Sequence, residues 1–286
     1  MGDAAKGDVT VNLLLQRNVA VVVERCNDEL KVDSLLLDTQ DEAAVKIVVD
    51  VYTLRIKKAF WEVLRRGRKY LAQGGIIERL AGIEAFLGSG PAIRQALEGL
   101  DEKVLDLVTE CTKGLVQAET YVFKEREYPT LEAYSEKWEK DVGAEYCRYY
   151  KNVAQVQTHW PEYIGDSERD KKLFCRTKNC AVYQEEKGLV AQGSFIDSFH
   201  ELGAIAFMDE EGRIKSTEIK FLRAPDKVCF ENQELNKVLD GLCLPGLNKK
   251  ELGKYLGGSA GCHHLVDIFG EMGKSVKKAI IAWKEG

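Results

Sequence analysis

"LVAQGSFIDSFHELGAIAFMDEEGRIKSTEIKFLRAP", residues 189–225, decides the fold. Within it "LVAQGSFID" and "GAIAFMDE" set apolar against small or polar residues at a period near two. That is the pattern of a pleated strand with one buried face. The turn residues "DEEG" at 209–212 follow, then a further strand or helix start near 213–223. Upstream, "NCAVYQE" (179–185) is another strand, closed by the turn "EEKG". Downstream the apolar period lengthens to that of a helix at about 232–243 and 262–283. Strands first and helices afterwards imply an α+β fold on an antiparallel sheet.

The same order occurs earlier in the chain. "LKVDSLLLDTQDEAAVKIVVDVYTLRIKKAFWEVLRRG" (30–67) aligns with 189–225. Asp38 falls on Asp197, "LRIKK" near "GRIKS", Arg65 on Arg223, and "LAGI" (80–83) on "LDGL" (239–242). The offset holds near about 160 residues, as a duplicated unit requires and chance matches do not. Strands are expected at "NVAVVVE", "KVDSLLLD" and "AVKIVVDVY", a further strand or helix start at about 54–64, and helices at about 75–86 and 91–122. The reading is two pseudo-symmetric repeats, each an antiparallel sheet followed by helices. The first spans 8–120, an aromatic-rich bridging segment 121–170, and the second repeat 171–286. The bridge is rich in Tyr and Trp, where a plain linker would be polar. It is expected to be helical over about 130–155, with a constrained loop at "THWPEY" (158–163).

The chain has 286 residues, 45% of them apolar and 30% charged, with a net charge of −5. That balance is ordinary for a globular protein and argues against general nucleic-acid binding. "RRGRK" (65–69) is too short to be a basic patch. The first residues, "MGDAAKGDVTV", lack a signal-peptide core, and Lys6 breaks a myristoylation pattern. Apolar runs are too short to span a bilayer. The eight cysteines show no CxxC pair, so reduced thiols and a cytoplasmic location are expected. A homo-oligomer remains open, as does the cofactor, with a divalent metal as one option.

Strands ending at an aspartate-marked turn, a Leu-x-Gly-(Leu/Ile) segment, then a glycine-rich approach to Cys-x-His-Leu form an order that resembles DUF2889, a bacterial family of uncharacterised proteins. The second repeat carries the motif as Gly261, Cys262, His263, His264 and Leu265; the first has Asp101, Glu102 and Lys103 near that place. The resemblance implies a tandem duplication with one motif lost. It implies no activity.

The motif opens a helix whose Cys262, Leu265, Phe269, Met272, Val276 and Ala279 share one apolar face. Cys262 should face inward, His264 lie at the boundary and His263 point outward. Function then divides. One reading is an enzyme or enzyme-like protein acting on a small anionic, partly aromatic molecule. Cys262 and His264 would be catalytic, as a thiolate with its histidine or through metal-bound water. The other reading is a non-enzymatic small-molecule or metal-binding protein using the same pocket, or a structural protein. A metal would be held by His264 and Cys262 with His263, completed by His159, His200, Cys147 or an acidic residue. Tyr149, Arg148, His159, Trp160 and Gly261 are the candidate ligand contacts. Arg148 would be free to pair an acid. Asp38 and Asp197 are expected to cap turns.

Overall fold

In the computed structural model, which describes residues 12–285, every expected strand forms, and β1 and β6 run well beyond the apolar runs that announced them. β1 (Asn12–Cys26), β2 (Glu29–Asp38), β3 (Asp41–Asp50) and β4 (Ile56–Arg66) are joined by tight turns, and β5 (Lys69–Ile76) closes the run. After the bridge come β6 (Lys172–Glu185), β7 (Gly188–Asp197), β8 (Glu201–Met208) and β9 (Ile214–Arg223). All nine form one antiparallel sheet in the order β5-β4-β3-β2-β1-β6-β7-β8-β9. The expectation of a separate sheet in each half is therefore corrected. β1 and β6 would each present an unpaired edge, and pairing them removes both edges. Their register sets Val19 against Lys178 and Val21 against Arg176.

One face of the sheet is covered by two long helices, α2 (Glu102–Ala118) and α7 (His263–Glu285). α2 starts where Asp101 accepts the Lys103 N–H, and its buried stripe runs through Val104, Leu107, Val108, Cys111 and Leu115. With β1–β4 it forms one apolar core. α7 packs Leu265, Ile268, Phe269, Met272 and Val276 on β7 and β8 in a second core. Both helices sit close to the strands. A Cβ on Gly114 would come 2.8 Å from Val21 Cγ1, and one on Gly193 2.8 Å from Met272 Sδ.

Between the two cores runs a buried ionic seam. Lys178, only 2% exposed, bridges Glu110 (3.0 Å) and Glu271 (3.1 Å). Arg17 holds Asp38 at 2.8 Å and Glu271 at 2.9 Å. Arg176 pairs with Asp267 and, at 3.5 Å, with Glu110. Isolated charges at this depth would cost several kcal/mol each, so every one needs a partner of opposite sign.

The smaller elements depart from the sequence reading. The helix expected over 75–86 is a turn with a short 3-10 helix, Glu78–Leu80, because β5 takes the chain as far as Ile76. The stretch 91–122 is interrupted between α1 (Gly90–Ala96) and α2. The stretch 232–243 contains no α-helix; Lys227–Lys237 is 3-10. The bridge breaks after α3 (Leu131–Val142), where Gly143 takes φ 68°. It continues as two single turns, α4 (Arg148–Lys151) and α5 (Trp160–Ile164). α6 (Lys249–Leu256), closed at its start by a reciprocal Asn248–Glu251 cap, leads into α7. No described helix is long and apolar enough to cross a membrane. The residues read for signal-peptide and myristoylation patterns lie outside the described residues.

Candidate functional site

The site is assembled at the end of β7. Asp197 is its last residue, and its Oδ1 accepts the N–H groups of Phe199 (2.7 Å) and His200 (2.6 Å). This is the turn cap expected for an aspartate there. Arg223, at the end of β9, donates to the carbonyls of Asp197, Ser198 and His200 and fixes the turn from outside. His200 is thereby held with Nδ1 3.2 Å from Asp197 Oδ1. The other carboxylate oxygen, Oδ2, is not used by the turn and lies 3.9 Å from His264 Nε2.

His264 reaches that oxygen because of the backbone before α7. After α6 the chain doubles back, and the Cys262 N–H donates to Leu256 O at 2.6 Å. A Cβ on Gly261 would run into the Leu256 carbonyl, so glycine is required there by close approach. The His264 ring then lies between Phe195 (4.7 Å between centroids) and His200 (4.0 Å). Its Nδ1 is 3.5 Å from Cys262 Sγ. Among the described residues, Asp197, His200 and His264 form a group whose ligand atoms all lie within 4.8 Å of one another.

Burial and the adjacent His200 push His264 well below its ordinary value, so it is a neutral imidazole near pH 7. Burial alone would raise Asp197, but His200 and the Phe199 N–H that its carboxylate accepts overcome it and hold it low. Burial pushes the Cys262 thiol far up, with Cys147 adding to the shift. The backbone N–H groups of Leu265 and His264 at the start of α7 act in the opposite direction and do not offset this.

His200 and His264 open onto a cavity that offers about 90 Å³ to the centres of water-sized spheres. The bridge forms much of its wall through Tyr134, Tyr146, Tyr149, Tyr150 and Trp160; α2 adds Val116 and Gln117. Of the candidates read from the sequence, Gly261, Cys262, His263, His264, Tyr149 and Trp160 line this one cavity. His263 is exposed and stacks on Tyr146 at 4.4 Å, on the far side from Asp197. Cys262 meets the opposite edge of the His264 ring from Asp197, so neither Cys262 nor His263 joins the Asp–His–His group. Arg148 is engaged by the protein itself: its guanidinium binds Glu231 at 2.9 Å and Ala260 O at 3.0 Å, and its N–H binds Gly261 O. His159 is exposed and does not line the cavity.

Two residues were under-read. Asp197 had been assigned a turn cap alone, although its second oxygen is available to a ligand. His200 was one of several possible completing residues. The signal was "DSFH" (197–200), a carboxylate and an imidazole held by a single turn. Asn232, also in the cavity wall, carried no such signal.

Comparison with known proteins bears on the half that carries this group. Residues 174–277 match the family model described as "Protein of unknown function (DUF2889)". The match takes in β7, Asp197, His200 and the start of α7 with Cys262 and His264. The DUF2889-like segment therefore supplies the whole Asp–His–His group, while the cavity wall opposite comes from outside it. No curated protein and no solved structure matches the chain.

Proposed function

We propose that the protein is a divalent-metal-dependent enzyme acting on a small molecule, with Asp197, His200 and His264 as the metal ligands and water in an open position facing the aromatic cavity. The observation that carries this reading is the closeness of three ligand atoms of suitable type beside a cavity. Two protein ligands about 2.0–2.1 Å from one tetrahedral ion lie roughly 3.4 Å apart. Asp197 Oδ2 and His264 Nε2 are 3.9 Å apart, close to that value, and the ligand atoms of all three residues lie within 4.8 Å of one another. Two histidines and one carboxylate with open positions are the donor set of hydrolytic zinc and of non-haem iron centres. With Nε2 on the metal, His264 would donate its Nδ1–H to Cys262 Sγ, which fixes the tautomer. The cysteine becomes a positioning residue, and the buried, protonated thiol favours metal-bound water over a thiolate nucleophile.

The tandem duplication is part of this proposal. It is supported by the mirrored strand order about β1–β6 and by matching contacts. Asp38 Oδ1 accepts the N–H groups of Gln40 and Asp41, as Asp197 Oδ1 does for Phe199 and His200. Arg65 binds the first turn as Arg223 binds the second. In the first half Asp41 stands at the place of His200, and Lys103, the second residue of α2 as His264 is of α7, stands near the place of the motif. There Lys278 holds Asp38 and Asp41 at 2.6 Å each, and Lys103 approaches Asp41 at 3.5 Å. Ammonium groups neutralise the carboxylates where the second half would use a metal.

A non-enzymatic binding protein is the second reading, favoured by the size of the cavity, which is below the ~300–1,000 Å³ of most ligand sites. Elemental analysis after loading with zinc, manganese or anaerobic ferrous iron tests the centre. One equivalent per chain is expected, lost in His264→Ala and Asp197→Asn. Less than about 0.1 equivalent with all three ions removes the metal reading. In the cobalt-substituted protein, a visible spectrum that changes with pH would report the exchangeable water an enzyme needs. A pH-independent spectrum favours the binding protein.

A further inference from the structure

The cavity has a second reading end, remote from the histidines in sequence. Asn232 is 2% exposed and lines the wall. Its Nδ2 donates to Cys229 O at 2.8 Å, while its buried Oδ1 has no hydrogen-bond partner among the described residues. A buried amide oxygen left unpaired costs on the order of 1–3 kcal/mol, so such an atom beside a cavity marks the place of a donor from a ligand. None of the lining residues is Asp, Glu, Lys or Arg. The one arginine beside it, Arg148, binds Glu231 and Ala260 O through its two terminal nitrogens; its buried Nε has no partner among the described residues, and the Glu231 carboxylate neutralises its charge. The Tyr149 hydroxyl donates to Thr158 O. The wall therefore offers aromatic faces, the neutral polar groups of Gln117 and Thr120, the histidines, and one buried acceptor without a partner, Asn232 Oδ1, with no carboxylate, ammonium or guanidinium in the lining.

Size narrows the ligand further. An apolar cavity of about 150 Å³ takes benzene. By that scale about 90 Å³ accepts roughly three to four heavy atoms, with the rest of a larger molecule in the mouth. Tyr146 and Tyr150 meet edge to face at 5.8 Å, and Tyr149 and Tyr150 at 5.3 Å, so flat rings already pack in this wall.

We propose that the cavity takes the N–H edge of an uncharged, planar five-membered heteroaromatic ring, packed against the bridge tyrosines with the rest of the ring in the mouth and its N–H donated to Asn232 Oδ1. This rests on the cavity being the substrate site of the proposed function, and it takes the ligand to be neutral where the sequence reading expects an anionic one. Any negative charge on a substrate would have to be met by the metal.

The test uses pyrrole and furan, rings of nearly equal size of which only pyrrole donates, with acetate as the small anion. Binding is measured by calorimetry on the full chain after metal removal. Pyrrole should bind at least about tenfold more tightly than furan, and acetate should not compete. In Asn232→Leu the pyrrole–furan difference should vanish. Equal binding of the two rings to the wild-type protein, no binding of either, or tighter binding of acetate overturns the proposal, and none of these needs the variant to fold. His264→Ala should keep the preference for pyrrole. A protein that discriminates the rings but holds no metal loses the proposed centre alone, and one that holds metal without discriminating loses this inference alone.

Discussion

Replacing Lys178 with methionine puts the buried seam under direct test. The ammonium bridges Glu110 at 3.0 Å and Glu271 at 3.1 Å with almost no solvent contact. Removing one partner of a buried pair costs about 3–5 kcal/mol, because the other charge stays in place. Here each carboxylate keeps a second cation: Glu271 has Arg17 at 2.9 Å, and Glu110 has Arg176 at 3.5 Å. The loss should therefore fall at the lower end, about 3 kcal/mol. An unfolding entropy of about 2.1 cal/mol/K per residue over 286 residues makes this a fall of roughly 5 °C in Tm. Urea unfolding followed by circular dichroism should show a lower midpoint at unchanged slope. The double variant Lys178→Met/Glu110→Leu should recover part of the loss, since Arg176 still has Asp267 and Glu271 still has Arg17. A loss below about 1 kcal/mol for Lys178→Met, or a double variant worse than the single, would refute the account of the seam.

The same seam sets the acid response. Burial would raise Glu271 and Asp267, but Lys178 with Arg17 and Lys113 with Lys249 hold them well below the carboxylate range. Folded values depressed in this way stabilise above the unfolded value of about 4–4.5 and lose that contribution below it. The urea midpoint should be flat from pH 6 to 8 and fall from about pH 5 downward; a decline already under way between pH 8 and 6 contradicts this. Gly193→Ala places a Cβ 2.8 Å from Met272 Sδ and 2.9 Å from Ile268 Cγ1 and should cost about 2 kcal/mol. Gly203→Ala, with nothing closer than 3.6 Å, is the control, and equal losses in chemical denaturation defeat the packing argument. Iodoacetamide mapped by mass spectrometry should label exposed Cys175 first and Cys262 among the last. Early labelling of Cys262 near pH 7 would restore the thiolate nucleophile.

Strands were legible because each shows one face to the cores and one to solvent, so period two survives along β2, β7 and β8. α7 was legible for the same reason at its own period. β5 was not: nearly all its residues are exposed, and it holds its place by backbone pairing with β4, which leaves no apolar pattern. The site was half legible. His264 and Cys262 announced themselves as chemistry beside glycines, and their inward placement follows from the helical period. Asp197 was hidden by its own success as a turn cap, since one carboxylate oxygen explained it. Arg148 misled because charge in an aromatic segment suggests a ligand, whereas its partners, Glu231 and Ala260, lie far away in the chain. Asn232 had no signal, because an orphaned oxygen is a property of its surroundings.

The pairing of β1 with β6 also decides how this chain can be cut. A break in the 121–170 bridge would release two fragments, each ending its own sheet in an open edge of matching register. Each fragment would also carry one side of the ionic seam: Arg17 and Glu110 from the first, Lys178, Asp267 and Glu271 from the second. Arg17 keeps Asp38 and Lys178 keeps Glu271 within a fragment, but the bridges Arg17–Glu271 and Lys178–Glu110 form only when the two meet. Such fragments are a natural pair for complementation, and the aromatic cavity, walled by α2 on one side and by His264 on the other, would reappear only when they rejoin.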